Sequence, residues 1–463
     1  MQQSARWIED DKWKTPKARQ FKRLSVLGFF MRYPIFLLAF GPPLFRPTTG
    51  INFTEGQVDV WSFLQAGWIS VIAMRAILRL TTAQSVLIPK QIRSILKFAF
   101  LLCLLFFIST TYSPSHLATV AYSFFYFLTL ICIVEFVVDI YRNPPDWVQC
   151  LFQLRLIAIV LFAIVLVTLV FKPNLVWAVL RGSGIRLLGN AVAPAAVICP
   201  IIAIISAYSF LHFLEPRLRA LLFFFVGLAG TLTTQVRGSE IALFLSLLLV
   251  AVGWARTSRR SMYLFISALM AFILLSSVVV AAVGTERIVK VFERGESIEN
   301  VEGLSGRTEV WTFVFKYCMS HPQGMGYEAG FRMLFEQHFL LGSGLQVQSI
   351  GTAHNTFLDI LAGAGWLALA IYLIMMTKII RLAWRFAKKQ TYSIPVFDSV
   401  SLHGIRCSLV LLIFCFVYGM DATEFSFPLR AGFYFLYVIV AMILGLSATM
   451  LVASRAEYEL AAS

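Results

Sequence analysis

His354 stands at the end of the longest polar interval in a chain otherwise made of apolar runs, within Gly351-Thr352-Ala353-His354-Asn355-Thr356-Phe357, where the next apolar run starts. Imidazole, with an unperturbed pKa of about 6.5, is the usual side chain for taking a proton at neutral pH. Just ahead of a helix, the partly positive N-terminus disfavours the imidazolium and keeps the ring in the neutral form a base needs. Four arginines complement it. Arg181 and Arg186 share one connection between apolar runs, Arg237 lies in a second and Arg307 in the polar interval itself. Guanidinium groups are planar, permanently charged and matched to phosphate oxygens. At a membrane surface those oxygens belong to lipid headgroups, or to lipid-linked intermediates with a diphosphate between a polyprenyl tail and a sugar. Cations there hold a diphosphate and offset the charge that grows on it as it leaves. Each residue taken singly also has a structural reading: an interfacial histidine is often only structural, and Arg237 can snorkel to headgroups or pair with Glu240.

The elements that must position these groups are legible around them. Ser305-Gly306-Arg307-Thr308-Glu309 predicts a helix start, with an apolar face at Trp311, Val314, Phe315 and Cys318, and His321-Pro322 predicts its stop. Gly324, Gly326 and Gly330 then permit a tight backbone before a second amphipathic run with Phe331, Leu334, Phe335 and Phe339 on one face. Two short helices lying on a bilayer surface would satisfy both faces of each.

The chain is 59% hydrophobic with only 14% charged residues, and its mean hydropathy is +0.79, which excludes a soluble globular class and predicts an all-α polytopic membrane protein. At roughly 20 apolar residues per span, about twelve transmembrane helices are expected, near 25–45, 59–80, 95–113, 117–138, 148–171, 187–211, 218–235, 240–255, 261–283, 355–378, 400–420 and 431–452. The net charge of +15 does not point to nucleic acid, because Lys and Arg crowd into alternate loops: the first 24 residues, Lys90 to Lys97, Arg256 to Arg260 and Lys378 to Lys389. This positive-inside pattern puts both termini in the cytoplasm. The organisation is then a basic tail (1–24), nine spans (25–283), an external loop (284–354), three spans (355–452) and a second tail (453–463). Arg181 and Arg186 fall in an external connection that the same rule keeps poor in cations, which suggests that something there wants positive charge.

Other features bound the function. The first apolar run carries Arg32 and Pro34 and lacks a cleavage site, so it reads as a retained span. Glu135 and Arg155 are costly facing lipid, and pairing with each other or placement at the headgroups would resolve that. Pro194 and Pro200 predict a bent or partly unwound sixth span. The seven cysteines imply no disulfide framework. No Asp-x-Asp occurs, so no metal-diphosphate clamp and no metal or other cofactor are expected. A transporter for a lipid-linked molecule would show internal repeats and polar residues at mid-membrane, whereas the charges here gather at one surface.

Taken in order, Arg237-Gly238 opening a span, Gly306-Arg307 then Trp311 on a helix, His321-Pro322 followed by Gly324-x-Gly326, and His354-Asn355-x-Phe357-Leu358 leading into a small-residue span resemble the O-antigen ligase and O-antigen polymerase superfamily. The resemblance runs from about Arg186 to Ile374. It implies a GT-C-like membrane glycosyltransferase of the bacterial inner membrane that takes a glycan from undecaprenyl diphosphate on the periplasmic side, without metal or nucleotide, and inverts the anomeric carbon. It implies His354 as the base, Arg186 and Arg237 as the best-matched diphosphate ligands, and Arg181 and Arg307 as weaker ones. Where relatives have Asn-Pro-Asn after the first arginine, this chain has Ala193-Pro194-Ala195. The expected partners are the undecaprenyl-diphosphate-linked oligosaccharide, a glycan acceptor, the bilayer, and chain-length regulators or export proteins. Polymerisation of repeat units of an exopolysaccharide, capsule or O-antigen leads; ligation of finished glycan to lipid A core, and a lipid-linked glycan flippase, are the alternatives.

Overall fold

The computed structural model describes residues 25–38, 60–82, 88–143, 146–171, 178–180, 184–186, 192–234, 236–256, 259–263, 266–267, 270, 307–328, 330, 353–388, 396–422, 425–426 and 431–462. The long helices are α3 (Val60–Thr82), α4 (Lys90–Ile108), α5 (His116–Arg142), α6 (Trp147–Phe171), α7 (Val192–Leu211), α8 (Arg217–Thr234), α9 (Arg237–Ala255), α10 (Arg307–Ser320), α11 (Thr356–Ala387), α12 (Val396–Gly419) and α13 (Ala431–Ala462). Two short helices precede them, α1 (Val26–Arg32) and α2 (Ile35–Leu38). A hairpin of three-residue strands, β1 (Ala178–Leu180) and β2 (Gly184–Arg186), joins α6 to α7.

Among the described residues, eight helices are long and apolar enough to cross a membrane, in α4, α5, α6, α8, α9, α11, α12 and α13. The chain is an all-α polytopic membrane protein. Leu222 and Phe225 on α8 and Ile241 and Phe244 on α9 are each more than half exposed, a concentration of apolar surface suited to lipid contact. Of the remaining expected spans, the second and sixth are helices α3 and α7, and most of the ninth lies outside the described residues. The first is not one helix. Pro34 disfavours helical backbone at Tyr33, which takes φ −120° and ψ 69°, and α1 stops there. Pro194, by contrast, falls in the first turn of α7, where a missing N–H costs little, and the helix continues through Pro200.

Residues 35–463 form one compact unit, and α13 lies at its centre, buried along almost all of Gly432 to Val452. Close approach is allowed by small residues at the contacts. A Cβ on Gly404 of α12 would lie 2.6 Å from Leu446 and 2.7 Å from Trp147, and one on Gly445 would lie 2.7 Å from Ile140. Gly227 and Gly230 do the same between α8 and α7, against Ala203 and Cys199.

The intramembrane charges are paired, but not as the sequence suggested. Glu135 and Arg155 do not meet. Arg79 of α3 donates to Glu135 at 2.8 Å and to Asp139 at 2.8 and 3.1 Å, so α3 and α5 are tied by charge one turn apart. Arg155, 2% exposed, pairs bidentately with Glu215 and donates to Ser206 at 3.2 Å, with the Phe223 ring 4.7 Å from its guanidinium. Which helices touch decides the partner, and spacing along the chain does not carry that information. Replacing Glu215 by alanine would strand a buried guanidinium, and a loss of about 3–5 kcal/mol is expected. A large fall in the thermal midpoint of the detergent-solubilised protein would show it.

Candidate functional site

Helix α10 starts and stops where the sequence predicts, with His321-Pro322 beyond its last turn. Its buried face is Val310, Val314 and Cys318, with Trp311 at the edge, packed on Ala353, Leu358, Leu361 and Ala362. Phe315 was expected on that face and is 46% exposed; the face is rotated toward Val310 because α10 lies along the start of α11 and Phe315 only flanks Trp366, at 6.2 Å. The second predicted amphipathic run, with Phe331 and Phe339, lies outside the described residues. Burial pushes the Cys318 thiol up to about 12, so it is not a nucleophile.

The start of α11 is interrupted. At Gly365 the backbone takes φ 80° and ψ −177°, open only to glycine. The break frees carbonyls that would be costly in a membrane, and the loop after α10 occupies it. Met325 N–H donates to Ala362 O at 2.7 Å, Gly326 N–H to Gly363 O at 2.8 Å, and Trp366 N–H to Pro322 O at 3.1 Å. Gly324 and Gly326, at φ 85° and 105°, let the loop approach this closely. Tyr327 then inserts, fully buried, with its ring stacked 3.7 Å from that of Phe106 on α4. The small residues of α11 thus accommodate a docked loop, where the sequence suggested helix packing alone.

This frame presents the histidine. His354 has φ +51°, a left-handed conformation that costs of the order of 1–3 kcal/mol outside glycine and must be held by its surroundings. Trp311 Nε1 donates to Ala353 O at 2.8 Å, and Ala353 N–H donates to Asp359 Oδ1 at 2.9 Å. On the other side Asn355 caps α11, its Oδ1 accepting from Phe357 N at 2.9 Å and Leu358 N at 3.2 Å.

The same turn grips the segment after α12. Asn355 Nδ2 donates to Met420 O at 2.9 Å and Thr356 Oγ1 to Ala422 O at 2.7 Å. Between those carbonyls sits Asp421, whose carboxylate forms an ion pair with Arg307 and whose carbonyl accepts from Arg307 Nη1 at 3.4 Å. Asp421 also covers Gly238, where a Cβ would fall 2.6 Å from the Asp421 Cβ, and Gly238 follows Arg237, the first residue of α9. Three half-buried residues far apart in sequence, Arg237, Arg307 and His354, are therefore gathered around residues 420–422. Arg186 ends β2 opposite Ala178. Its side chain, and the whole of Arg181, lie outside the described residues. Asp421 and Asp359 were not singled out from sequence, although an acid in the first turn of an apolar span is a signal in its own right.

Residues 220–373 match the family model described as O-antigen ligase, about a third of the chain. The matched stretch contains Arg237, Arg307 and His354. That stretch is similar to an O-antigen ligase domain. No curated protein matches the chain. Arg237 and Arg307, of a type suited to phosphate oxygens, thus begin helices that meet the segment gripped by the His354 turn, and the Asp421 carboxylate on Arg307 is one that an incoming anion could replace.

Proposed function

We propose that this protein transfers a glycan from an undecaprenyl-diphosphate-linked oligosaccharide to a sugar hydroxyl at the periplasmic face of the bacterial inner membrane, with both termini cytoplasmic, joining repeat units of a polysaccharide. The observation that supports the reading best is the junction at Asp421, which brings the ends of α9 and α10 to the His354 turn. In the reaction, neutral His354 takes the proton from the acceptor hydroxyl as its oxygen attacks the anomeric carbon. The bond from that carbon to the diphosphate oxygen breaks, and the electron pair leaves with undecaprenyl diphosphate. Attack from the face opposite the leaving group inverts the centre. Arg307 and Arg237 meet the charge that develops on the diphosphate, with Arg186 as a further ligand and Arg181 the weakest of the four. Every step of the scheme is carried by side chains, so it needs no metal.

A second reading is ligation of finished glycan to lipid A core, favoured by the ligase description of the matched family. Both readings share donor, base and arginines and differ in acceptor. Purified protein reconstituted with lipid-linked repeat units, its products resolved by size, separates them. A ladder formed from repeat units alone, and lost in His354→Ala and Arg237→Ala, is expected. Transfer only after lipid A core is added would make the protein a ligase, and a wild-type ladder from His354→Ala would remove the proposed chemistry.

A further inference from the structure

Asp359 holds the backbone next to the proposed base, through the N–H of Ala353. It is fully buried in the first turn of α11. Its Oδ1 accepts the Ala353 N–H at 2.9 Å and its Oδ2 accepts the Ser426 hydroxyl at 3.2 Å. The Ser426 carbonyl in turn accepts from the Tyr327 hydroxyl at 2.8 Å. An acid inside a helix reaching back to an N–H ahead of the cap follows the logic of a capping box, but here the N–H belongs to the residue preceding a left-handed histidine. The second oxygen reaches the segment that continues from Asp421, the partner of Arg307. One carboxylate therefore joins the turn bearing the imidazole to the loop bearing the arginine's counter-charge.

A buried carboxylate is an expensive way to fill space, and an apolar side chain would pack there more cheaply. We propose that Asp359 is a positioning residue, which locks the His354 turn and fixes its register against the 420–426 segment so that base and diphosphate cations keep one separation. The inference rests on His354 being the base. It requires two acceptor oxygens, or one acceptor and one donor, more than it requires a charge.

The test uses the full chain in nanodiscs, with undecaprenyl diphosphate as the binding probe and lipid-linked repeat units as the donor. Asp359→Ala is expected to lower kcat by roughly 100-fold, the scale of a misplacement of about 1 Å in a catalytic group, while undecaprenyl diphosphate still binds within about twofold. Asp359→Asn should recover most of the rate with the wild-type pH profile, because its amide oxygen accepts the Ala353 N–H and the Ser426 hydroxyl can turn to accept from the amide. An Asp359→Asn as slow as Asp359→Ala, or an Asp359→Ala at the wild-type rate, overturns the proposal. Should Asp359→Ala lose binding through misfolding, Ser426→Ala decides: a kcat reduced about tenfold with binding intact supports the tie, and an unchanged kcat sinks it. His354→Ala runs alongside. If it is inactive while Asp359→Ala is not, only this inference fails; if it is active, the base assignment fails and takes this inference with it.

Discussion

His354→Ala should lose roughly 10²–10⁴-fold in kcat, the range a positioned general base supplies, while affinity for undecaprenyl diphosphate stays near the wild-type value. The split follows from geometry. The imidazole is carried by a turn whose neighbours, Ala353 and Asn355, are held by Trp311, Asp359 and the cap of α11, and none of those bonds passes through the histidine ring. Losing the ring therefore removes the proton acceptor and leaves the arginines where they were. The rate of the wild-type protein should fall on the acid side as the base protonates, and that limb should be absent from the residual activity of the variant. Initial rates of undecaprenyl diphosphate release across pH, measured beside equilibrium binding of undecaprenyl diphosphate, check both parts. Loss of binding in proportion to rate would instead make His354 a ligand of the donor.

Much of the framework around His354 was readable in the sequence, and the part that was not has a common cause. The start and stop of α10 follow from local chemistry, a polar N-terminal stretch and a proline, and the structure has them where expected. The polytopic class follows from composition and run length. The rotation of α10, with Val310 buried and Phe315 exposed, depends on how it lies against α11, and a helix with apolar residues on more than one side does not announce which side wins. Gly363 and Gly365 read as packing residues because a glycine that permits close helix contact and one that permits φ 80° are the same letter. The partners of Glu135 and Arg155 were open for the same reason: pairing is a property of which helices are neighbours. Asp421 shows the limit most directly. It stands 114 residues from Arg307, and nothing short of the fold puts its carboxylate on that guanidinium.

Arg307→Ala should lose about 10²–10³-fold in kcat, the scale of removing one donor aimed at developing charge, and unlike His354→Ala it should also weaken undecaprenyl diphosphate binding. Arg307→Lys keeps the charge but not the planar fork, so partial recovery of binding with little recovery of rate is expected. Asp421 makes the argument sharper, because it acts on Arg307 in two opposed ways. As a counter-ion it competes with an incoming diphosphate. As an anchor it holds the guanidinium beside Gly238 and the His354 turn. The competition is weak: both partners are about 30% exposed, and such a pair is worth roughly 0.2–1 kcal/mol, less than a tenfold effect on affinity. The anchoring bears on orientation, where a small displacement costs far more. Asp421→Ala should therefore bind undecaprenyl diphosphate slightly more tightly and turn over much more slowly. An Asp421→Ala protein with both tighter binding and an undiminished kcat would show that the ion pair only restrains Arg307 at rest, and that the diphosphate itself sets the arginine in place.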